Sequence, residues 1–200
     1  MKRGINRPTF TPPPGGSSRR GLSRPIHHSP FTIRNSLRVG IGNDVHLLAP
    51  GRKLILGGVR VPFEKGAVGH SDGDALAHAI CDALLGAAGL GDIGRHFPDT
   101  SPQWHKASSL LFLRRVRNLL DEAGYSILNI DATIGLERPK LAPHIPRMVQ
   151  RTAAALRIKP GQVSVKAKTG EGLGAIGRGE AIRADAIALL AIIPKGGPTP

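Results

Sequence analysis

The feature that most constrains the fold is an apolar segment at residues 75–90, preceded by a cluster of histidine, serine and aspartate at residues 70–74. The segment is rich in Ala and Leu, which lose little conformational entropy in a helix, and it therefore predicts a helix. Ser71 or Asp72 is expected to cap the first turn, with Asp74 as the acidic partner of a capping box. Since free N–H groups and the helix dipole both attract negative charge, this start is also a favourable anion site.

The remaining pattern of apolar residues predicts an α/β (α+β) sandwich. Gly57-Gly58, between two short apolar runs, predicts a small β-hairpin. Helices are predicted at residues 106–123 and 144–156, and strands at residues 38–42, 126–136, 162–168 and 181–193. The alanines of the last segment also allow a helix. We therefore expect a ferredoxin-like mixed sheet of four strands with the helices on one face.

The composition divides the chain into three parts. Residues 1–37 are predicted to be a disordered basic leader, because they are rich in Pro, Gly, Ser and Arg and contain no acidic residue. The ordered domain is predicted at residues 38–193 and a disordered tail at residues 194–200. The leader lacks the apolar segment of a secretion signal, which predicts a bacterial cytoplasmic protein, or a plastid-type organelle if the leader is a transit peptide. No apolar run reaches the ~20 residues of a membrane span, so no membrane partner is expected.

Three side chains with metal-binding chemistry come from two separate segments. Asp44 and His46 stand two residues apart at the end of a predicted strand, so both point to the same face. His78 lies in the predicted helix, one turn after Asp74. Alone, Asp-x-His is more typical of a polar turn, and a single helical histidine is more typical of a core. Together they offer one carboxylate and two imidazoles, an open zinc site that leaves a position for water or a substrate oxygen.

Two loops carry further polar groups. Thr169 and Glu171 follow a predicted strand and offer oxygen ligands for a magnesium-like ion, although a plain polar turn is an equal alternative. The glycines at 172, 174 and 177 form G-x-G-x-x-G, but the βαβ context of a dinucleotide site is missing, and we reject that interpretation. The Pro-containing loop at residues 137–143 is either a plain connector or a rigid surface for a base edge, with Lys140 available to a phosphate.

Taken together, these segments resemble the 2-C-methyl-D-erythritol 2,4-cyclodiphosphate synthase family from about residue 38 to residue 193. The motifs that carry the resemblance are Asp44-Val45-His46, His70-Ser71-Asp72-Gly73-Asp74 with His78, Leu90-Gly91-Asp92-Ile93-Gly94, Phe97-Pro98-Asp99-Thr100, Arg138-Pro139-Lys140-Leu141 and Gly177-Arg178-Gly179-Glu180. The resemblance implies a ring closure in the non-mevalonate isoprenoid pathway. The 2-phosphate of 4-diphosphocytidyl-2-C-methyl-D-erythritol 2-phosphate attacks the β-phosphorus, and CMP leaves. Such a reaction requires the protein to position the substrate and to neutralise the charge of its phosphates, more than to form covalent bonds with it.

The resemblance also implies a role for individual residues. Zinc is expected on Asp44, His46 and His78, and a magnesium or manganese ion on Glu171. His70 and Thr169 match the positions that stabilise the transition state. The substrate-binding residues that the resemblance implies are Asp44, His46, His70, Ser71, Asp92, Gly94, Phe97, Asp99, Ser101, Leu136, Lys140, Ala142, Lys168, Thr169, Glu171, Ala175 and Arg178.

The family forms a homotrimer whose active sites lie between subunits around a partly apolar central cavity. The resemblance therefore implies a trimer here, with Arg178 and Glu180 near the mouth of a cavity that can take an isoprenoid diphosphate. The chain departs from the family at Gly172, where a basic residue is common, and at Ala175, where Phe is common. Lys168 is a candidate replacement for the missing basic side chain.

Two other classes of function compete with this hypothesis. A zinc-dependent phosphoesterase would share the three ligands but would use the open position to activate water. A basic nucleic-acid-binding module would fit the net charge of +14, but only 4% of the residues are aromatic and no strand carries stacking side chains. We therefore expect a small cytidine-diphosphate substrate and no nucleic acid.

Overall fold

A five-stranded mixed sheet is the central element of the computed structural model, which describes residues 37–193. The strands are β1 (Leu37–Pro50), β2 (Leu54–Leu56), β3 (Val59–Val61), β4 (Lys65–Ala67), β5 (Tyr125–Gly135), β6 (Val163–Lys168) and β7 (Ala181–Ile192). The order in the sheet is β4-β1-β7-β5-β6, and β2 pairs with β3 in a separate hairpin. Only β5 and β6 are parallel; the other neighbouring strands are antiparallel.

The helices are α1 (Ala75–Ala88), α2 (Ile93–His96), α3 (Ser109–Glu122), α4 (Ile145–Leu156) and α5 (Gly174–Gly177), with three short 3-10 turns at Pro102–Trp104, Ala142–His144 and Pro160–Gln162. α1 is buried along most of its length and packs on β1 and β7. Gly40 and Gly42 of β1 allow this, because a Cβ at either position would lie 2.1 Å from a carbonyl oxygen of α1. None of the described helices is long and apolar enough to cross a bilayer.

The N-terminus of α1 is capped by Asp74, so the prediction that Ser71 or Asp72 would cap it is wrong. One carboxylate oxygen of Asp74 accepts the N–H of Ala77 at 3.0 Å, as an N-cap does. The N–H groups of the hairpin turn at residues 57–58 donate to the same carboxylate at 2.9 and 2.7 Å. Asp74 is the capping residue because this one buried carboxylate accepts hydrogen bonds from backbone N–H groups of both the helix start and the hairpin turn.

The sheet differs from the predicted one in two respects. It has five strands rather than four, since Lys65–Ala67 pairs with the C-terminal end of β1. The main elements run β1-α1-α3-β5-α4-β6-β7, so the last two strands follow one another, whereas a ferredoxin-like fold runs β-α-β-β-α-β. The ferredoxin-like prediction is therefore wrong. The predicted hairpin, helices and main strands are confirmed, and the alanine-rich segment is the strand β7, which pairs on both sides.

The face of β1 that points away from α1 is apolar and exposed. Val39 and Ile41 are 70% and 72% exposed, and Ile187 of β7, the register partner of Ile41, is 49% exposed. No described residue covers these side chains. The predicted leader, apart from Leu37, and the predicted tail at residues 194–200 lie outside the described residues.

Candidate functional site

Asp44, His46 and His78 converge where β1 crosses α1. The Oδ2 atom of Asp44 is 3.0 Å from Nδ1 of His46 and 3.0 Å from Nδ1 of His78. The three potential ligand atoms lie within 4.8 Å of one another, and no other group of three metal-binding side chains does so within residues 37–193. The sequence prediction that these residues come together is therefore confirmed.

The donor atoms of this triad suit a divalent cation. Nδ1 of His46 is buried and has no hydrogen-bond partner in suitable geometry, although the carboxylate of Asp44 is close. One carboxylate oxygen and two imidazole nitrogens are the ligand types that zinc takes in open sites. A cation between the three groups would supply the partner that His46 lacks.

The electrostatics of the triad also favour a positive charge at its centre. Burial alone would raise the pKa of Asp44, but the hydrogen bond from His78 and the positive charge of the imidazoles of His46 and His78 lower it to about 2. Burial opposes protonation of His78, yet the hydrogen bond and charge of Asp44 outweigh it and raise the pKa of that imidazole. The carboxylate of Asp44 is thus ionised near neutral pH. Its negative charge can be balanced by a protonated imidazole or by a bound metal ion.

A cavity of about 410 Å³ opens beside the triad. The predicted residues that line it are His46, His70, Ser71, His78, Gly94, Phe97 and Asp99. Part of its wall is aromatic: Phe97 stacks on Phe112 at a centroid distance of 4.5 Å, and Trp104 meets both rings edge-on. The cavity lining therefore combines the polar groups of the triad with aromatic rings.

Sequence reasoning missed two residues of this aromatic wall. Trp104 is the only tryptophan of the chain and stands two residues after a proline in a loop. This unusual position is the one feature of the sequence that could have indicated a role in binding. Phe112 lies on the buried face of α3, where an aromatic residue is equally typical of a core. Its ring also lies 6.0 Å from that of His78. Only the fold shows that this part of the core forms a cavity wall.

Asp92 and Ser101, which were predicted to bind the substrate beside these residues, stand outside the lining of this cavity. Asp92 caps α2, where its carboxylate accepts the N–H of Arg95 at 2.9 Å. Ser101 immediately precedes the 3-10 turn at Pro102–Trp104. Asp82 of α1 accepts the N–H of Ile93 at 2.7 Å and so attaches the start of α2 to the central helix.

A second, smaller cavity of about 180 Å³ lies at the ends of β5 and β6. The predicted residues that line it are Leu136, Lys140, Ala142, Lys168 and Thr169. Glu137 stabilises the surrounding loops, because its carboxylate accepts the N–H of Gly170 at 3.0 Å. The hydroxyl of Thr169 donates a hydrogen bond to Glu171. The structure thus places most of the predicted site residues in the linings of two separate cavities.

Glu171, Ala175 and Arg178, like Asp92 and Ser101, line neither of these two cavities. Glu171 is exposed, is not part of the triad, and has a left-handed backbone with φ of 50°. Ala175 is exposed in α5. Arg178 forms a bidentate ion pair with Glu180 at 3.0 and 2.9 Å and lines a third cavity beside Lys65.

Comparisons with known proteins match nearly all of the described chain. The model of the YgbB family matches residues 37–191. The 2-C-methyl-D-erythritol 2,4-cyclodiphosphate synthase of Nitrosospira multiformis is 56% identical over 158 residues, which is 79% of this chain and 89% of that protein. The synthase of the same name from Clostridium perfringens is 56% identical over 154 residues, 77% of this chain and 99% of that one.

Solved structures agree with these relatives. A CDP-bound 2C-methyl-D-erythritol-2,4-cyclodiphosphate synthase superposes with a TM-score of 0.71 at 42% identity, covering 76% of this chain and 99% of that one. The bifunctional IspDF of Campylobacter jejuni superposes with a TM-score of 0.76 at 38% identity over 78% of this chain, but over only 42% of its own length. This chain belongs to the YgbB family, together with the 2-C-methyl-D-erythritol 2,4-cyclodiphosphate synthases.

Proposed function

We propose that this chain cyclises 4-diphosphocytidyl-2-C-methyl-D-erythritol 2-phosphate to 2-C-methyl-D-erythritol 2,4-cyclodiphosphate and releases CMP. The observation that carries the proposal is the Asp44–His46–His78 triad, which opens into the same cavity as His70 and Ser71. Relatives at 56% identity bear the name of this synthase. The reaction belongs to the non-mevalonate isoprenoid pathway.

Asp44, His46 and His78 would hold a zinc ion, which when bound polarises a phosphate oxygen as a Lewis acid. His70 and Ser71 stand beside the triad and supply an imidazole and a hydroxyl for hydrogen bonds to a phosphate, which grow stronger as charge develops in the transition state. The aromatic rings that line the cavity limit the access of water. An attacking phosphate of the substrate is therefore favoured over hydrolysis.

The methylerythritol part of the substrate would lie in the larger cavity. Gly94 and Asp99 line it, and Phe97 closes one side, so backbone and carboxylate groups face the hydroxyls of the sugar alcohol. Asp92 and Ser101, at the ends of the short turns nearby, would complete the binding once these turns close over the substrate. The part of the substrate at the triad is then held by both polar and apolar contacts.

The cytidine would lie in the smaller cavity. Backbone groups between Leu136 and Ala142 can read a base edge, and Lys140 and Lys168 bring positive charge to the diphosphate. Glu171 would hold a magnesium or manganese ion together with substrate phosphates, the usual arrangement for Mg²⁺. Thr169, which donates its hydroxyl to Glu171, would stabilise the transition state from this side. The CDP-bound relative supports a cytidine nucleotide as ligand.

A homotrimer follows from the same reasoning. Within one chain the two cavities are separate, whereas the substrate needs both the triad and the cytidine site. The exposed apolar strip of β1 and β7 has the character of a subunit interface. Three such strips facing one another would enclose a central cavity with Arg178 and Glu180 near its mouth. An isoprenoid diphosphate could bind there, with its hydrocarbon chain against the apolar strips and its diphosphate near Arg178. Ala175 leaves more space beside Arg178 than the family's Phe would.

For the chain as a whole we retain the division into a basic leader at residues 1–37, the synthase domain at residues 38–193 and a tail at residues 194–200. The first two relatives named above are bacterial, which supports a bacterial cytoplasmic location. A transit peptide in the leader would instead send the protein to a plastid-type organelle.

Product analysis tests the proposal against a zinc-dependent phosphoesterase. The protein, loaded with zinc and magnesium, is incubated with the cytidylated substrate, and the products are followed by phosphorus NMR. We expect equal amounts of a cyclic diphosphate and CMP. A linear phosphate product would instead indicate hydrolysis by a metal-activated water.

A further inference from the structure

We propose that Asp72 and Ser109 are positioning residues that hold His78 in the tautomer able to bind the metal. This inference rests on the metal centre of the proposed function and assigns a role to two residues outside the predicted ligand set. Nδ1 of His78 faces Asp44 at 3.0 Å, whereas Nε2 points to the opposite side, toward α3. A metal on Nδ1 must replace the hydrogen that Asp44 accepts there, so the ring can keep a hydrogen only on Nε2, and the contacts of Nε2 decide whether that tautomer is favoured.

The direction of the hydrogen bonds around Ser109 is determined by Asp72. Ser109 is fully buried, and its hydroxyl donates to Oδ1 of Asp72. Its backbone N–H donates to Oδ2 of the same carboxylate at 3.0 Å. With its only hydroxyl hydrogen used in this way, the oxygen of Ser109 can only accept. Nε2 of His78, 2.9 Å from that oxygen, must then be the donor, so the lone pair of Nδ1 is left for the metal once a metal displaces the hydrogen that Nδ1 shares with Asp44.

Ser71 offers a second, weaker acceptor on the same side. Its hydroxyl oxygen lies 3.1 Å from Nε2 of His78 and also accepts the N–H of Gly73 at 3.3 Å. Ser71 keeps its hydroxyl hydrogen free and could equally donate to Nε2, so it does not impose a tautomer. Only the pair formed by Asp72 and Ser109 imposes the direction of the hydrogen bond.

Asp72 also has a structural role, from which the positioning role must be separated. Its carboxylate accepts the first N–H of α3, while Ser108, the residue at the N-cap position, makes no capping bond with its side chain. The variant Asp72→Asn separates the two roles. The amide oxygen can still accept that N–H, but the amide NH₂ would donate to Ser109, and Ser109 would donate to Nε2. The imidazole hydrogen would then move to Nδ1, where it competes with the metal.

The experiment measures zinc affinity by competition with a chromophoric chelator, alongside the unfolding temperature of the metal-free protein. We expect Asp72→Asn to weaken zinc binding about 10–100-fold, the range typical of residues that orient a metal ligand. Ser109→Ala should weaken it less, because Ser71 remains. The Ser71→Ala/Ser109→Ala double variant should approach Asp72→Asn. Ser108→Ala is the matched control and should bind zinc like the wild type.

Nitrogen-15 NMR of the histidine rings gives an independent result in the zinc-saturated wild type. We expect His78 to have metal on Nδ1 and a hydrogen on Nε2. Metal on Nε2, or unchanged zinc affinity in both Asp72→Asn and Ser109→Ala, would overturn the inference and leave the proposed function intact. If Asp72→Asn does not fold, Ser109→Ala and the double variant decide. A wild type that binds no zinc would refute the metal centre itself.

Discussion

Gly42 of β1 lies against the backbone of α1 so closely that a Cβ on it would come within 2.1 Å of the carbonyl oxygen of Ala79. Asp44 follows Gly42 by two residues on the same face of β1, and His78 directly precedes Ala79 in α1. The close contact of strand and helix therefore determines the distance between the carboxylate and the imidazole. The geometry of the candidate metal centre depends on a residue without a side chain.

We expect Gly42→Ala to lower the free energy of unfolding by ~1–3 kcal/mol, the usual cost of overpacking, and to weaken zinc binding. Gly86→Ala is the matched control in α1, because a Cβ there meets nothing closer than 3.9 Å. It should stabilise the helix by ~0.5–1 kcal/mol. Urea unfolding and chelator competition measure both effects. A Gly42→Ala variant with wild-type stability and zinc affinity would show that the close contact is not required.

His78→Ala removes one of the three ligands, so we expect zinc content close to zero and loss of cyclisation. The fold and the oligomer should persist, because the side chain of His78 lies at the edge of the core and away from the exposed strip of β1. Elemental analysis after gel filtration measures zinc per subunit, and light scattering measures the mass. Retained stoichiometric zinc would remove His78 from the ligand set.

Glu171→Gln should leave the zinc content unchanged and slow turnover on the order of 10²-fold, because the second ion loses its carboxylate ligand. Glu122→Gln, at the exposed end of α3, serves as the control and should be active. Turnover is measured across a magnesium titration with zinc held constant. If Glu171→Gln kept wild-type turnover and magnesium dependence, the second ion would have to bind elsewhere.

Asp74 should give the stability of the protein a distinctive pH dependence. Burial and the charge of Asp72 raise its pKa to about 6, above the value of an unfolded aspartate. The folded state therefore holds this proton more tightly, so the stabilisation is complete below about pH 4 and is lost as the pH rises through 6. The loss amounts to about 3 kcal/mol.

The pH effect is measured by urea unfolding of the metal-free protein between pH 4 and 7 at one protein concentration. Asp74→Asn cannot ionise, so its stability relative to the wild type should improve as the pH rises through this range. Its absolute stability should still be lower, because the amide cannot accept all three N–H groups that Asp74 accepts. A constant difference between the two proteins would contradict the raised pKa.

Ile41→Asp should dissociate the proposed trimer, because it puts a charge into the exposed apolar strip of β1. Leu111→Asp is the control: Leu111 is 43% exposed on α3, outside the sheet. Light scattering should report three copies for the wild type and for Leu111→Asp, and one copy for Ile41→Asp. A wild type that is a monomer at micromolar concentration would contradict the shared active site.

Much of this architecture was accessible from the sequence, because its signals are local. The helix α1, the hairpin at residues 57–58 and the main strands follow from propensity and alternation, and Asp44, His46 and His78 from ligand chemistry and the family motif. The strand β4 was missed, since Lys-Gly-Ala has no apolar alternation. Gly66 in β4 fits because a Cβ there would lie 2.2 Å from the carbonyl oxygen of Lys53.

Other features depend on contacts between distant segments and could not be predicted. Ser71, Asp72 and Asp74 are all good helix caps, and only the hairpin turn packed on α1 selects Asp74. The hydrogen bonds from Ser109 to Asp72 likewise join residues 37 positions apart. The order of the strands differs from the ferredoxin-like prediction because segment types do not determine which strands pair.

The central claim is that Asp44, His46 and His78 bind one zinc ion at the entrance to a phosphate-binding cavity. Anomalous diffraction at the zinc edge, on crystals grown with zinc and CDP, tests it directly. We expect one strong peak per subunit, ~2.0–2.2 Å from Oδ2 of Asp44 and from Nδ1 of each histidine, with a phosphate oxygen as a further ligand. A peak at other residues, or an empty triad in zinc-saturated crystals, would contradict the claim.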